Sequence, residues 1–114
     1  MNKICLLITK PPHSDDGQER MCGLAKRARE REMEVTVYLI GDGVFCAKKG
    51  QMGHMGESIR MALENGVRVR ASAKDLVARA LPEEQVEPGV EFVEEIEKEF
   101  VKDMMENSER VISW

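Results

Sequence analysis

Two short apolar runs, Lys3 to Thr9 (KICLLIT) and Val35 to Ile40 (VTVYLI), stand on either side of one amphipathic stretch, and that spacing leaves few folds open. A continuous apolar run closed by Lys10-Pro11-Pro12 reads as a strand buried on both faces. The stretch between the runs predicts a helix over Gly17 to Arg31. Ser14, Asp15 and Asp16 are capping types, Glu19 suits the positive end of the helix dipole, and Met21, Leu24, Ala25 and Ala28 recur at helical spacing. Arg31-Glu32-Met33 then turns tightly into the second strand. A strand, a helix and a strand within about forty residues form a βαβ unit, whose crossover is right-handed and whose strands run parallel. The expected architecture is α/β in three layers, one domain across the 114 residues.

The rest of the chain continues the alternation. Glu57 to Asn65 reads as a second helix with Ile59, Ala62 and Leu63 inward, stopped by Asn65-Gly66. Val67 to Arg70 (VRVR) is a third strand whose alternation is expected to expose both arginines. Ser72 can cap a third helix over Ala73 to Ala80, with Leu76, Val77 and Ala80 apolar and Pro82 ending it. After an acidic loop from Glu83 to Gly89, Val90 to Val93 is either a short fourth strand or the beginning of the next helix. Glu94 to Glu106 is amphipathic, with Ile96, Phe100, Val101 and Met104 expected inward. Val111 to Trp114 closes the chain as a last strand, and its Trp contributes most if buried, for instance against another subunit.

Charge and cysteine usage narrow the function classes. Net charge is −4, with basic residues concentrated between Lys10 and Arg31 and acidic ones between Glu83 and Glu106. Such segregation fits subunit docking or a well-solvated helix. It does not fit DNA or RNA binding: no basic stripe is interleaved with aromatics, and three Phe, one Tyr and one Trp are too few for a stacking platform. No apolar run approaches the roughly 18 residues of a membrane span. Cys5, Cys22 and Cys46 are an odd number without metal-ligand or CxxC spacing and follow no secretory signal, which predicts reduced thiols and a cytoplasmic location.

The candidate site lies after the second strand. Gly41-Asp42-Gly43 is a turn tolerant of positive φ, and a short helix beginning near Val44 would put Cys46 in its first turn, close to Lys48 and Lys49. Helix amides and neighbouring ammonium groups favour thiolate over thiol, so Cys46 is a candidate nucleophile; the alternative is that Phe45 and Cys46 simply pack beneath the loop. His13 would sit at the carboxyl edge of the first strand, either near this site or merely solvated. Gln51 to Ser58 carries glycines at every third position from Gly50, so it reads as a cover. Its Met52, His54 and Met55, with Cys46, are soft ligands suited to Cu(I), although adaptable methionine packing accounts for them as well. No metal site and no cofactor are assigned.

The opening KICLLITKPP, the turn VYLIGDGVFCA, VRVRASAKDLVARAL, PGVEFV and the closing ERVISW, in this order, resemble the DsrE/DsrF-like family of small sulfur-relay proteins, which includes the TusBCD-type subunits. The resemblance implies a parallel sheet of about five strands between helix layers. It also implies assembly into a homo-oligomer (dimer, trimer or hexamer) or a hetero-oligomer with related subunits. In chemically active members it implies transfer of persulfide sulfur from a donor to an acceptor protein. The carrier cysteine of relay-competent members lies just after the third strand, where this chain has Arg70, Ala71 and Ser72, and a hydroxyl undergoes no thiol exchange. Either Cys46 has taken over as persulfide carrier, with Arg68, Arg70, Lys48 and Lys49 holding an anionic sulfur species or an acidic partner face, or the chain is a non-catalytic subunit.

Overall fold

The fold comes from a computed structural model of the chain, which describes residues 3–9, 17–49, 54–106 and 110–113. Five parallel strands form one sheet: β1 (Lys3–Ile8), β2 (Glu34–Leu39), β3 (Arg68–Ser72), β4 (Glu91–Val93) and β5 (Arg110–Ser113), in the spatial order β4-β3-β2-β1-β5. Between them run α1 (Gly17–Glu30), a 3₁₀ segment (Gly41–Ala47), α2 (His54–Glu64), α3 (Ala73–Ala78), a 3₁₀ turn (Glu83–Gln85) and α4 (Ile96–Glu106). From β1 to β4 each new strand is laid beside the last in one direction. Right-handed crossovers therefore put α1, α2 and α3 on the same face. The path from β4 to β5 crosses the sheet in the reverse direction, so α4 lies on the opposite face.

Strand alternation divides the core accordingly. Ile4, Leu6, Ile8, Val35, Val37, Leu39, Val69 and Ala71 point toward α1–α3 and pack against Ala25, Ala28, Ile59, Ala62 and Leu76. Cys5 and Tyr38 point the other way, where Val93 and Ile96 complete a much smaller buried cluster with Phe100 packed beside it. The Tyr38 and Phe100 rings meet edge to face, with centroids 5.1 Å apart.

Several expectations are corrected. The third strand extends through Ser72, because Ala71 and Ser72 pair with Phe92 and Val93 of β4. That pairing also makes Glu91–Val93 a strand and not the start of a helix. Both arginines stand on one pleat face, but Arg68 is exposed whereas the Arg70 side chain, beside Tyr38 and Glu99 of α4, is only 14% exposed. Val101 is exposed on α4 and Asp103 takes the inward place expected for it. Helix α3 ends at Ala78; Val77 is 81% exposed and Ala80 adopts a positive φ of 53° beyond the helix. Part of the segment read as a cover, from His54 onward, is the first turn of α2. His13, Met52 and Trp114 lie outside the described residues. None of the helices among the described residues is long and apolar enough to cross a membrane.

Candidate functional site at the carboxyl edge of the sheet

The chain leaves β3 toward one face and β4 toward the other, so the two helix layers diverge at the carboxyl ends of these strands. In open α/β sheets that divergence opens a crevice for ligands. Ser72 ends β3 at this point. It is 3% exposed, and its Oγ accepts a hydrogen bond from the Asp75 amide (3.2 Å), capping α3. The Ser-x-x-Asp spacing that makes this cap is legible in the sequence. Replacing Ser72 with Ala leaves that amide without its acceptor and is expected to cost about 1 kcal/mol, read as a lower urea midpoint.

Asp75 ties the next strand's turn to the same helix. Its Oδ2 accepts from the Gly41 amide (2.8 Å), and its Oδ1 accepts from Arg79 Nη1 (3.2 Å). Arg79 Nε also donates to Asp42 (2.9 Å), so one guanidinium joins the Gly-Asp-Gly turn to α3. Burial pushes the Asp75 carboxyl up, but the Gly41 amide, the Ser72 hydroxyl and Arg79 together outweigh it and hold the group below its ordinary range. Gly41 has the positive φ expected (60°), and Gly43 lies against the backbone at the end of β1. The turn residues Gly41, Asp42 and Gly43 are thus gathered at one edge with Ser72, Asp75 and Arg79. The last two were not singled out from the sequence, although their i, i+4 spacing of opposite charges was visible there.

Cys46 is placed differently from expectation. The 3₁₀ segment begins at Gly41, so Cys46 is its next-to-last residue and not in a first turn, and the field of helix amides does not favour a thiolate there. Its residue is 1% exposed and belongs to the apolar cluster beneath α1–α3 with Val44 and Ala47. Lys48 and Lys49 follow it but are exposed. Their backbone bridges to the segment after α3: Lys48 pairs with Val86, the Lys49 amide donates to the Gln85 carbonyl (2.7 Å), and the Glu87 amide donates to the Ala47 carbonyl (2.8 Å). Arg70 is on the other side of the sheet from Cys46, with its guanidinium carbon 5.7 Å from the Tyr38 ring centre. It lies 3.8 Å from Glu91 and 3.6 Å from Glu99. The structure therefore does not bring Arg70 and Cys46 into one site, because alternate positions of a strand face opposite helix layers.

A carboxyl edge tied by polar side chains, on an all-parallel five-stranded sheet with, among the described residues, three helices on one face and one on the other, defines a small three-layer α/β domain. The chain belongs to the DsrE/DsrF-like family, whose model matches residues 2–114. It is 33% identical over 93 residues to protein MK0008 of Methanopyrus kandleri, an alignment covering 78% of this chain and 77% of that protein. In structure it is similar to the ychN protein of E. coli, with a TM-score of 0.81 at 18% identity over the full length of both chains. It is likewise similar to MTH1491 of Methanobacterium thermoautotrophicum, with a TM-score of 0.76 at 17% identity and full coverage of both. These structural likenesses concern the fold.

Proposed function

We propose that this chain serves sulfur transfer as a partner-binding subunit that does not itself carry sulfur. The observation supporting this reading is that the carboxyl end of β3 holds Ser72, whose hydroxyl is buried and committed to capping α3. A thiol is needed there for persulfide exchange, and an alcohol does not supply one. The rival reading, persulfide on Cys46, requires the Gly41–Ala47 segment to lift, since that thiol is buried among apolar side chains. Buried cysteines in apolar surroundings are generally inert. The subunit would work in a reducing cytoplasmic compartment as part of a homo- or hetero-oligomer, supporting a donor or acceptor that carries the reactive sulfur.

Incubation with a persulfide donor followed by intact-mass analysis tests this directly. The expected result is no gain of a sulfur mass, with Cys46 alkylated by iodoacetamide more slowly than a small free thiol at the same pH. Rapid, selective alkylation of Cys46 together with the gain of one sulfur would overturn the proposal and establish the carrier reading.

A further inference from the structure

The two faces of the sheet are held in different ways. Three helices and an extended aliphatic cluster cover one face. Among the described residues, the other carries only α4, over a smaller cluster of Cys5, Tyr38, Val93 and Ile96. In the middle of that second interface is a charge. Asp103 is 7% exposed; its Oδ1 accepts from Lys3 Nζ (2.6 Å), and its Oδ2 accepts from the Tyr38 hydroxyl (2.6 Å) and the Cys5 thiol (3.4 Å). A single α4 side chain thus fastens the helix to both β1 and β2.

Nearer the start of α4, Glu99 approaches Arg70 of β3 at 3.6 Å, beyond hydrogen-bond reach for a well-formed pair. Arg70 Nε is buried with no hydrogen-bond partner. A carboxylate oxygen of Glu91 in β4 lies 3.8 Å from it. Along the outer side of α4, Val101 is 45% and Met105 77% exposed, so the helix's apolar surface is not all committed to the sheet.

We propose that α4 is a releasable cover, latched by Asp103, that opens as a unit while the α1–α3 face stays packed. Opening uncovers the apolar sheet surface around Leu7, Tyr38 and Ile40. Subglobal openings of this kind occur where few apolar contacts and a polar latch hold an element. Cys5 is a built-in reporter: it is 0% exposed, and its thiol is bonded to the latch.

The experiment is iodoacetamide labelling of the native full-length chain, resolved peptide by peptide, over a series of low urea concentrations, beside global unfolding by circular dichroism. In the unmodified protein, Cys5 is expected to react through an opening with a shallower urea dependence than global unfolding. Asp103→Asn should speed Cys5 labelling at least about tenfold. Ile59→Val, in the opposite face, should lower the global midpoint yet leave the Cys5 rate within about twofold, because it weakens the closed and α4-open states alike. Two results would overturn the proposal: Cys5 labelling that follows global unfolding at every urea concentration, or an Ile59→Val effect on Cys5 as large as its effect on global unfolding. The unmodified protein and Ile59→Val decide the matter even if Asp103→Asn does not fold. Neither reading touches the test of sulfur loading at Cys46.

Discussion

Asp103→Ala should lower global stability by about 3–5 kcal/mol, a large share of what a domain of this size possesses. The loss is not that of one hydrogen bond. Lys3 has a side chain only 14% exposed, and Tyr38 is fully buried, so removing the carboxylate leaves a mostly buried ammonium and a buried phenol without their shared acceptor. Chemical denaturation at neutral pH measures the effect. The same centre sets a pH window. Burial pushes the Asp103 carboxyl up, but Lys3, Tyr38 and Cys5 outweigh it and hold it below its ordinary value of 3.8. Its stabilisation is therefore complete above that value and is lost as pH falls through the lower folded-state value. Tyr38 shifts the other way, raised first by burial and then by its bond to Asp103. That contribution is complete below the ordinary tyrosine value of 10.0 and is lost as pH rises beyond it. Denaturation midpoints across pH should thus fall at both ends in the unmodified protein, and the acid-side fall should be shallower in Asp103→Ala.

Gly43→Ala should cost about 3 kcal/mol or more, for a reason unrelated to backbone freedom. A Cβ at this position would overlap the carbonyl oxygen of Ile8 and come within 2.7 Å of its carbon. Both are backbone atoms at the end of β1, and that oxygen already accepts the Ile40 amide at 3.1 Å. Neither can swing aside like a side chain. The 3₁₀ segment would have to lift from the strand, taking the buried Val44, Cys46 and Ala47 with it. Thermal unfolding measures the loss. Accelerated alkylation of Cys46 should accompany it, whereas Asp42→Ala, on the exposed side of the same turn, should change stability far less.

The fold was legible in the sequence wherever a pattern repeats over several residues. KICLLI and VTVYLI announced buried parallel strands, the i, i+3, i+4 stripes placed α1 and α2, and Ser72 signalled the start of α3. Misplacements fell where one residue's direction mattered. Arg70 and Val101 are ordinary surface and core residues by type, and it is the packing of α4 beside Arg70 and the helical phase of Val101 that reverse them. The signal for Asp103 was present: it continues the inward stripe of Ile96 and Phe100 with a carboxylate where an apolar residue belongs. What the sequence could not reveal was that Lys3, Cys5 and Tyr38 converge on it from two strands. Cys46 depended on where a short helix begins, and a shift of three residues moved it from a helix start to the buried end of a 3₁₀ segment.

Strand order has a consequence for how the molecule is made. β1 pairs on one side with β2, some thirty residues later, but on its other side with β5, where Ile4 meets Arg110 and Leu7 meets Ser113. A ribosome delivers the chain from its amino end, so the partner for that side emerges only after β4 and α4. Until then one of the most apolar strands of the protein has an open edge, the kind of surface that pairs with other nascent chains. With the spatial order β4-β3-β2-β1-β5, the free side of β1 is closed only when β5 docks.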